Sequence, residues 1–229
     1  MVKKPDATLM CPPGSHVVHA HRRVCQSGTV SWVHAHVRKN RGRINPGLLK
    51  ENIHFLFWKS KKKYPALNPI DGYGNKGSEY DDLIQFWLEY WKSEGIEFPE
   101  KLDPLLIKTL IAVESTFDPK AKSKIKGSTV SGLMQVTDQM VRVLGGFPNK
   151  DDYIEQRKSL IHVKYGDKLD PVVNVALGIR LLGHKCSKIP KGNEKSLYNT
   201  VKNYHSWDKV GDTYAKEVFS KYEKSLKKK

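Results

Sequence analysis

The sequence predicts a mainly α-helical domain with a small β/loop region, preceded by a small basic β-hairpin module. Three observations carry this reading. Beyond residue 45, apolar residues recur at helical spacing. Asp103-Pro104 and Asp170-Pro171 each place an N-cap residue before a Pro suited to the first helical position. Ahead of them, "VHAHRR" at 18–23 is echoed by "VHAHVR" at 33–38, with apolar and polar residues roughly alternating around Ser27-Gly28.

The elements follow in order. The two echoed segments read as strands of one hairpin. His19 and His21 share one strand face, as do His34 and His36. "NPGLLKENIHFLFW" reads as a helix with Asn45 as N-cap, Pro46 at its first position and a stripe of Leu49, Ile53, Leu56 and Phe57. The Lys-, Pro- and Gly-rich stretch at 59–77 reads as a linker. The chain then divides into a hairpin module (1–44), a helix with linker (45–77) and a helical domain (78–229). In that domain Ser78 caps a helix whose stripe is Leu83, Ile84, Trp87, Leu88 and Trp91, aromatics better suited to a core than to a ligand platform. Towards the end, Leu197, Val201 and Tyr204 share one helix face, and Tyr214, Val218 and Tyr222 another. No long strand is expected after residue 45.

Composition limits the function classes. The chain has 229 residues, 38% hydrophobic and 28% charged, enough for one sizeable core. No run of about 18 apolar residues occurs, so no membrane-spanning helix is expected. The N-terminus lacks the apolar segment of a signal peptide, so action outside the cytoplasm calls for another delivery route or a trimmed chain. Net charge is +16, unevenly placed: residues 1–63 hold 13 Lys and Arg against Asp6 and Glu51. Such a basic end suits an anionic partner (nucleic acid, an anionic lipid surface or an acidic polysaccharide), with plain solubility as the competing explanation. Three cysteines, Cys11, Cys25 and Cys186, do not make a disulfide scaffold. Cys11, Cys25, His19 and His34 are weak candidates for zinc, because no CxxC spacing supports them. A Cys11–Cys25 disulfide competes with that reading, and a plain basic hairpin contacting another surface is favoured over both. No nucleotide-binding glycine loop or HExxH is present, and no cofactor is expected.

One residue breaks the pattern. In "LIAVESTFDP" (110–119), Glu114 follows Ile111 by three residues and Ile107 by seven, so it falls on the apolar stripe of its helix. Partial burial there disfavours the charged carboxylate, and so does a nearby helix C-terminus. Both raise the pKa toward what a general acid needs near neutrality. The bland alternative is a Glu that bends to solvent or pairs with one of 40 Lys and Arg residues.

Beyond Glu114 the motifs become specific. Glu114-Ser115, Phe117-Asp118-Pro119, Ser123, Gly132-Leu133-Met134-Gln135 and a helix ending at Gly145 resemble the soluble, goose-lysozyme-like lytic transglycosylases. "DPVVNVALGIRLL" is similar to that family's Asp-Pro, Asn, Gly and Leu-Leu helix. "VKNYHSW" takes the place of its Ala-Tyr-Asn-Ala-Gly segment, and "TYAKEV" that of its closing helix. The resemblance spans roughly residues 79–226 and is silent on 1–77.

The resemblance implies a lysozyme-like fold, with peptidoglycan strands as substrate. Glu114 would protonate the glycosidic oxygen between N-acetylmuramic acid and N-acetylglucosamine, then deprotonate the muramyl 6-hydroxyl, giving a 1,6-anhydro product. The family assigns part of the charge stabilisation to the substrate's acetamido group, so one carboxyl suffices. Asp118, before a Pro, reads as a turn residue. By the same resemblance Ser131, Gly132, Met134, Gln135 and Tyr204 would line the glycan cleft, Tyr204 with its hydroxyl near Glu114. His205, Ser206 and Trp207 depart from the family's Asn-Ala-Gly, which leaves a hydrolytic muramidase open; His205 is itself a candidate cleft residue, with a cap or packing role as its alternative. A catalytically silent glycan-binding module is a further alternative, and a nucleic-acid-binding protein is the less favoured one. The expected place of action is the bacterial periplasm or wall. A secreted antibacterial effector, a secretion-machine component and an immunity or inhibitor protein are the associated expectations.

Overall fold

The fold is described by a computed structural model for residues 2, 4–5, 10–24, 30–40, 47–125 and 128–227. Seven α-helices among these surround short strands, and the expected mainly α architecture with a small β region is what the chain adopts.

The N-terminal repeat forms one antiparallel ribbon. β1 (Ser15–Val18) pairs with β4 (His36–Lys39), and β2 (His21–Val24) with β3 (Val30–Val33). One register runs from Ser15↔Lys39 to Val24↔Val30. Histidine side chains accompany its interruption at the repeated His-Ala pairs: Nδ1 of His21 lies 2.9 Å from the carbonyl of His19, and Nδ1 of His36 lies 2.9 Å from that of His34. The ladder therefore breaks at residues 19–20 and 34–35, which leaves His19 and His34 outside the strands. The Ser27-Gly28 turn lies outside the described residues.

The next helix starts later than the sequence suggests. Leu48–Leu49 form β5, parallel to β9 (Ile161–His162), and α1 spans Lys50–Lys59. The Leu48 amide donates to the Leu160 carbonyl at 2.7 Å, which holds this backbone extended. A Cβ at Gly47 would come within 2.5 Å of Leu160 backbone atoms, so a bare residue lets the strands approach. Asn45 and Pro46, the expected cap and first turn, lie outside the described residues.

The stretch 59–77 is not a free linker. Ile70 is fully buried in the common core, Asn68 Nδ2 donates to the Ser225 carbonyl and the Asp71 amide to Ser225 Oγ. Its Pro and Gly residues shape a packed irregular segment, because polar anchors and a buried Ile outweigh its composition. Ser78 opens a 3₁₀ turn (Ser78–Tyr80) rather than capping α2 (Asp81–Ser93). Leu83, Ile84, Trp87, Leu88 and Trp91 on α2 are buried as core, and Trp91 Nε1 donates to the Ala176 carbonyl at 2.9 Å.

α3 (Pro104–Ser115) begins as read, with the Asp103 carboxylate accepting from the Leu106 amide. β6 (Lys122–Ile125), β7 (Ser128–Ser131) and β8 (Val136–Thr137) make an antiparallel sheet that leads into α4 (Asp138–Leu144). α5 (Pro171–Ser187), capped by Asp170, is buried along most of its length and touches α1, α2, α4 and α6 (Leu197–His205). α7 (Lys209–Leu226) closes the bundle over α3 and α6.

Candidate active site

A cleft of 570 Å³ opens between the C-terminal end of α3, the small sheet, α5 and the end of α6. Glu114 stands in the last turn of α3, half-buried at this cleft. The chain leaves the helix sharply there, because Thr116 and Phe117 both adopt left-handed backbone (φ 51° and 63°). For a β-branched Thr such a conformation is costly and must be held by its surroundings. Phe117 does the holding: it is buried, meets the Tyr73 ring edge-on at 5.8 Å and lies against Gly77, where a Cβ would collide with it. The position of Glu114 is thus fixed from behind.

Burial pushes the Glu114 carboxyl from an ordinary 4.5 up to about 7, partly opposed by a hydrogen bond donated by the Tyr214 hydroxyl to Oε1 at 2.6 Å. Among the described residues lining the cleft, Glu114 is the sole carboxylate. Asp118 is occupied as a turn residue, its side chain accepting from the Lys120 amide at 2.9 Å.

The residues expected around the glycan separate into two groups. Gln135, Tyr204 and His205 line the cleft with Glu114. Gln135 adopts φ 46°, and its amide donates to the Gly132 carbonyl at 2.8 Å, which bends the side chain back along the loop. His205 is exposed at the rim, its ring 4.8 Å from that of Tyr214. Ser131, Gly132 and Met134 are instead buried, in the loop behind the cleft-lining Gln135. Their backbone is tied to the central helix. Asn174 on α5 accepts from the Met134 amide (2.8 Å) and donates to the carbonyls of Ser131 (2.9 Å) and Lys168 (2.7 Å). Gly132 has room for no side chain, since a Cβ there would meet Asn174 Nδ2 at 2.2 Å. The Met134 side chain packs where a Cβ on Gly178 would stand.

Tyr204 also differs in detail from expectation. It is near enough for the Glu114 charge to help raise its pKa, yet its hydroxyl donates to the Met134 carbonyl at 2.7 Å. The hydroxyl on Glu114 comes from Tyr214, which the sequence placed on an apolar stripe and in the segment resembling the family's closing helix, without a role at the acid. A buried Tyr needs a partner for its hydroxyl, and that was the available signal. Lys185, Met140 and Leu181 also line the cleft without having been singled out.

The weak zinc candidates gain no support among the described residues. Cys25 lies outside the described residues, and among those described no group of three or more His, Cys, Asp or Glu could hold a metal. Cys11 is a free buried thiol rather than half of a disulfide: Sγ donates to the Ser15 carbonyl, Asn52 Nδ2 lies 3.3 Å from it, and burial pushes its pKa up to about 11.

A helical domain with a small sheet on one wall of a groove and a sheltered carboxylic acid on the other is lysozyme-like. The profile of the transglycosylase SLT domain matches residues 96–222, more than half of the chain, and the chain belongs to that family. No curated protein and no solved structure matches it. The family's general activity is lytic cleavage of peptidoglycan.

Proposed function

We propose that Glu114 is the single acid/base of a peptidoglycan lytic transglycosylase, acting on the β-1,4 bond between N-acetylmuramic acid and N-acetylglucosamine. The carrying observation is a lone cleft carboxyl whose pKa is raised to about 7 while a Tyr hydroxyl fixes one of its oxygens. Donation by Tyr214 to Oε1 favours carbonyl character there and leaves the acid proton on Oε2. That proton passes to the glycosidic oxygen as the bond to the anomeric carbon breaks. Glu114, now a carboxylate, takes the proton of the muramyl 6-hydroxyl as its oxygen bonds to that carbon. The products are a 1,6-anhydromuramyl end and a free 4-hydroxyl, and Glu114 is protonated again. A second carboxylate, required by most glycosidases, has no place in this scheme.

Purified sacculi test the reading. Glu114→Gln abolishes clearing, and clearing that persists removes Glu114 from the role. Mass spectrometry of the released muropeptides separates this chemistry from hydrolysis on the same acid: anhydro ends support it, reducing ends replace it with a muramidase.

A further inference from the structure

The N-terminal ribbon carries an unpartnered surface that the glycan reaction does not use. Its foot is fixed. Val17 is buried, and Asn52 on α1 donates through Nδ2 to the carbonyls of Cys11, Pro12 and Ser15. The distal ladder is free. Residues 22 and 24 share a strand face, and their partners across the ladder are Trp32 and Val30. One face therefore carries Arg22, Val24, Val30 and Trp32, with Trp32 61% and Val24 68% exposed. The other carries His21, Arg23 and Ser31, all exposed.

Charge around this face has one sign. From residue 7 to 50 the sequence has no Asp or Glu, and the ribbon presents Arg22, Arg23, Arg38 and Lys39. A polyanion alone would account for the arginines but gives two exposed valines nothing to bury against. A sugar surface, which Arg and Trp also meet, would leave Val24 and Val30 equally unburied and would call for more acceptors for its hydroxyls. Among the described residues from 10 to 40 there is no acid, and Asn40 Oδ1 already lies 2.6 Å from His16 Nδ1. Trp beside small apolar groups, ringed by Arg and Lys, matches the boundary between lipid headgroups and acyl chains, where indole sits and basic residues meet anionic heads. We propose that this ribbon docks the enzyme on an anionic lipid bilayer, Val24, Val30 and Trp32 entering the interface and the arginines pairing with headgroups.

The full chain is tested by sedimentation with vesicles of phosphatidylglycerol mixed with phosphatidylcholine, against phosphatidylcholine alone. Binding to the anionic vesicles only is expected. Trp32→Ala, which leaves the charge untouched, and Arg22→Glu with Arg23→Glu each weaken it about tenfold or more. Thermal melts and digestion of solubilised glycan stay at wild-type values, so a failure here is separate from a failure at Glu114. The proposal is overturned if anionic vesicles are not bound, or if Trp32→Ala binds them as well as the wild type, as a diffuse basic surface would. Retention on duplex DNA or insoluble peptidoglycan that depends on Trp32, with vesicles ignored, overturns it too.

Discussion

The Tyr214 hydroxyl donates to Oε1 of Glu114 at 2.6 Å, joining the closing helix α7 to the acid on α3. This bond favours the ionised carboxylate and so restrains the upward push of burial. In Tyr214→Phe the restraint is gone. The alkaline limb of the pH–rate profile moves up by about one pH unit, since hydrogen bonds to charged groups are worth about 1.5 kcal/mol or more. Turnover at the optimum falls, because the acid loses its orienting partner. An unmoved profile would show that Tyr214 only packs.

Glu114 costs the fold stability at neutral pH. Its folded pKa of about 7 lies above the ordinary 4.5. Between those values the folded state holds a proton that the unfolded chain has released. Stability is therefore greatest below the lower value and is lost as pH rises through the upper one. Glu114→Gln removes this dependence. Denaturant titrations should find the variant more stable than wild type by about 1–3 kcal/mol above pH 7, and matched to it near pH 4. Equal stability at both pH values would remove the sheltered acid.

Asn174 ties the cleft loop to the central helix. It is fully buried, and its amide serves Met134, Ser131 and Lys168 at once. Asn174→Leu has similar bulk but leaves three backbone groups without their partner. The expected loss is about 3–5 kcal/mol, or a fall in Tm of roughly 8–15 °C in a chain of this size. A calorimetric change within a degree or two would mean the loop holds without this node.

How much of this could be read in advance depends on the range of each interaction. Asp103-Pro104, Asp170-Pro171 and Glu114 all express local rules, a cap before a Pro or an acid at an apolar position, and each stands where the sequence put it. The β5–β9 contact is two residues long and joins distant segments, so it leaves no periodic trace; it nevertheless moved the start of α1 to Lys50. The Gly-Leu-Met-Gln motif was legible as a motif but not in its physics. Gly132 and Met134 brace the cleft loop from within, and only Gln135 of the group reaches the cleft wall. Tyr214 was hidden for a similar reason: on a helix stripe, a Tyr serving an acid a hundred residues away looks the same as one filling a core.

Asn52 offers a test of how the ribbon is held. The residue is 1% exposed, and its Oδ1 accepts from the Leu49 amide while Nδ2 serves three carbonyls of the segment leading into β1. Two donor protons shared among three acceptors make a fork that no apolar side chain can replace. In Asn52→Leu the Cys11 carbonyl loses its donor, while Pro12 keeps the Ser15 amide and Ser15 keeps the Cys11 thiol, at a cost of about 1–3 kcal/mol. The loss should be local, because the core of α2, α3 and α5 does not pass through Asn52. Hydrogen exchange is the discriminating measurement: amides of β1 and β4 lose protection in the variant while those of α3 and α5 keep theirs. A uniform loss across all helices would instead show that ribbon and helical domain unfold as one cooperative unit.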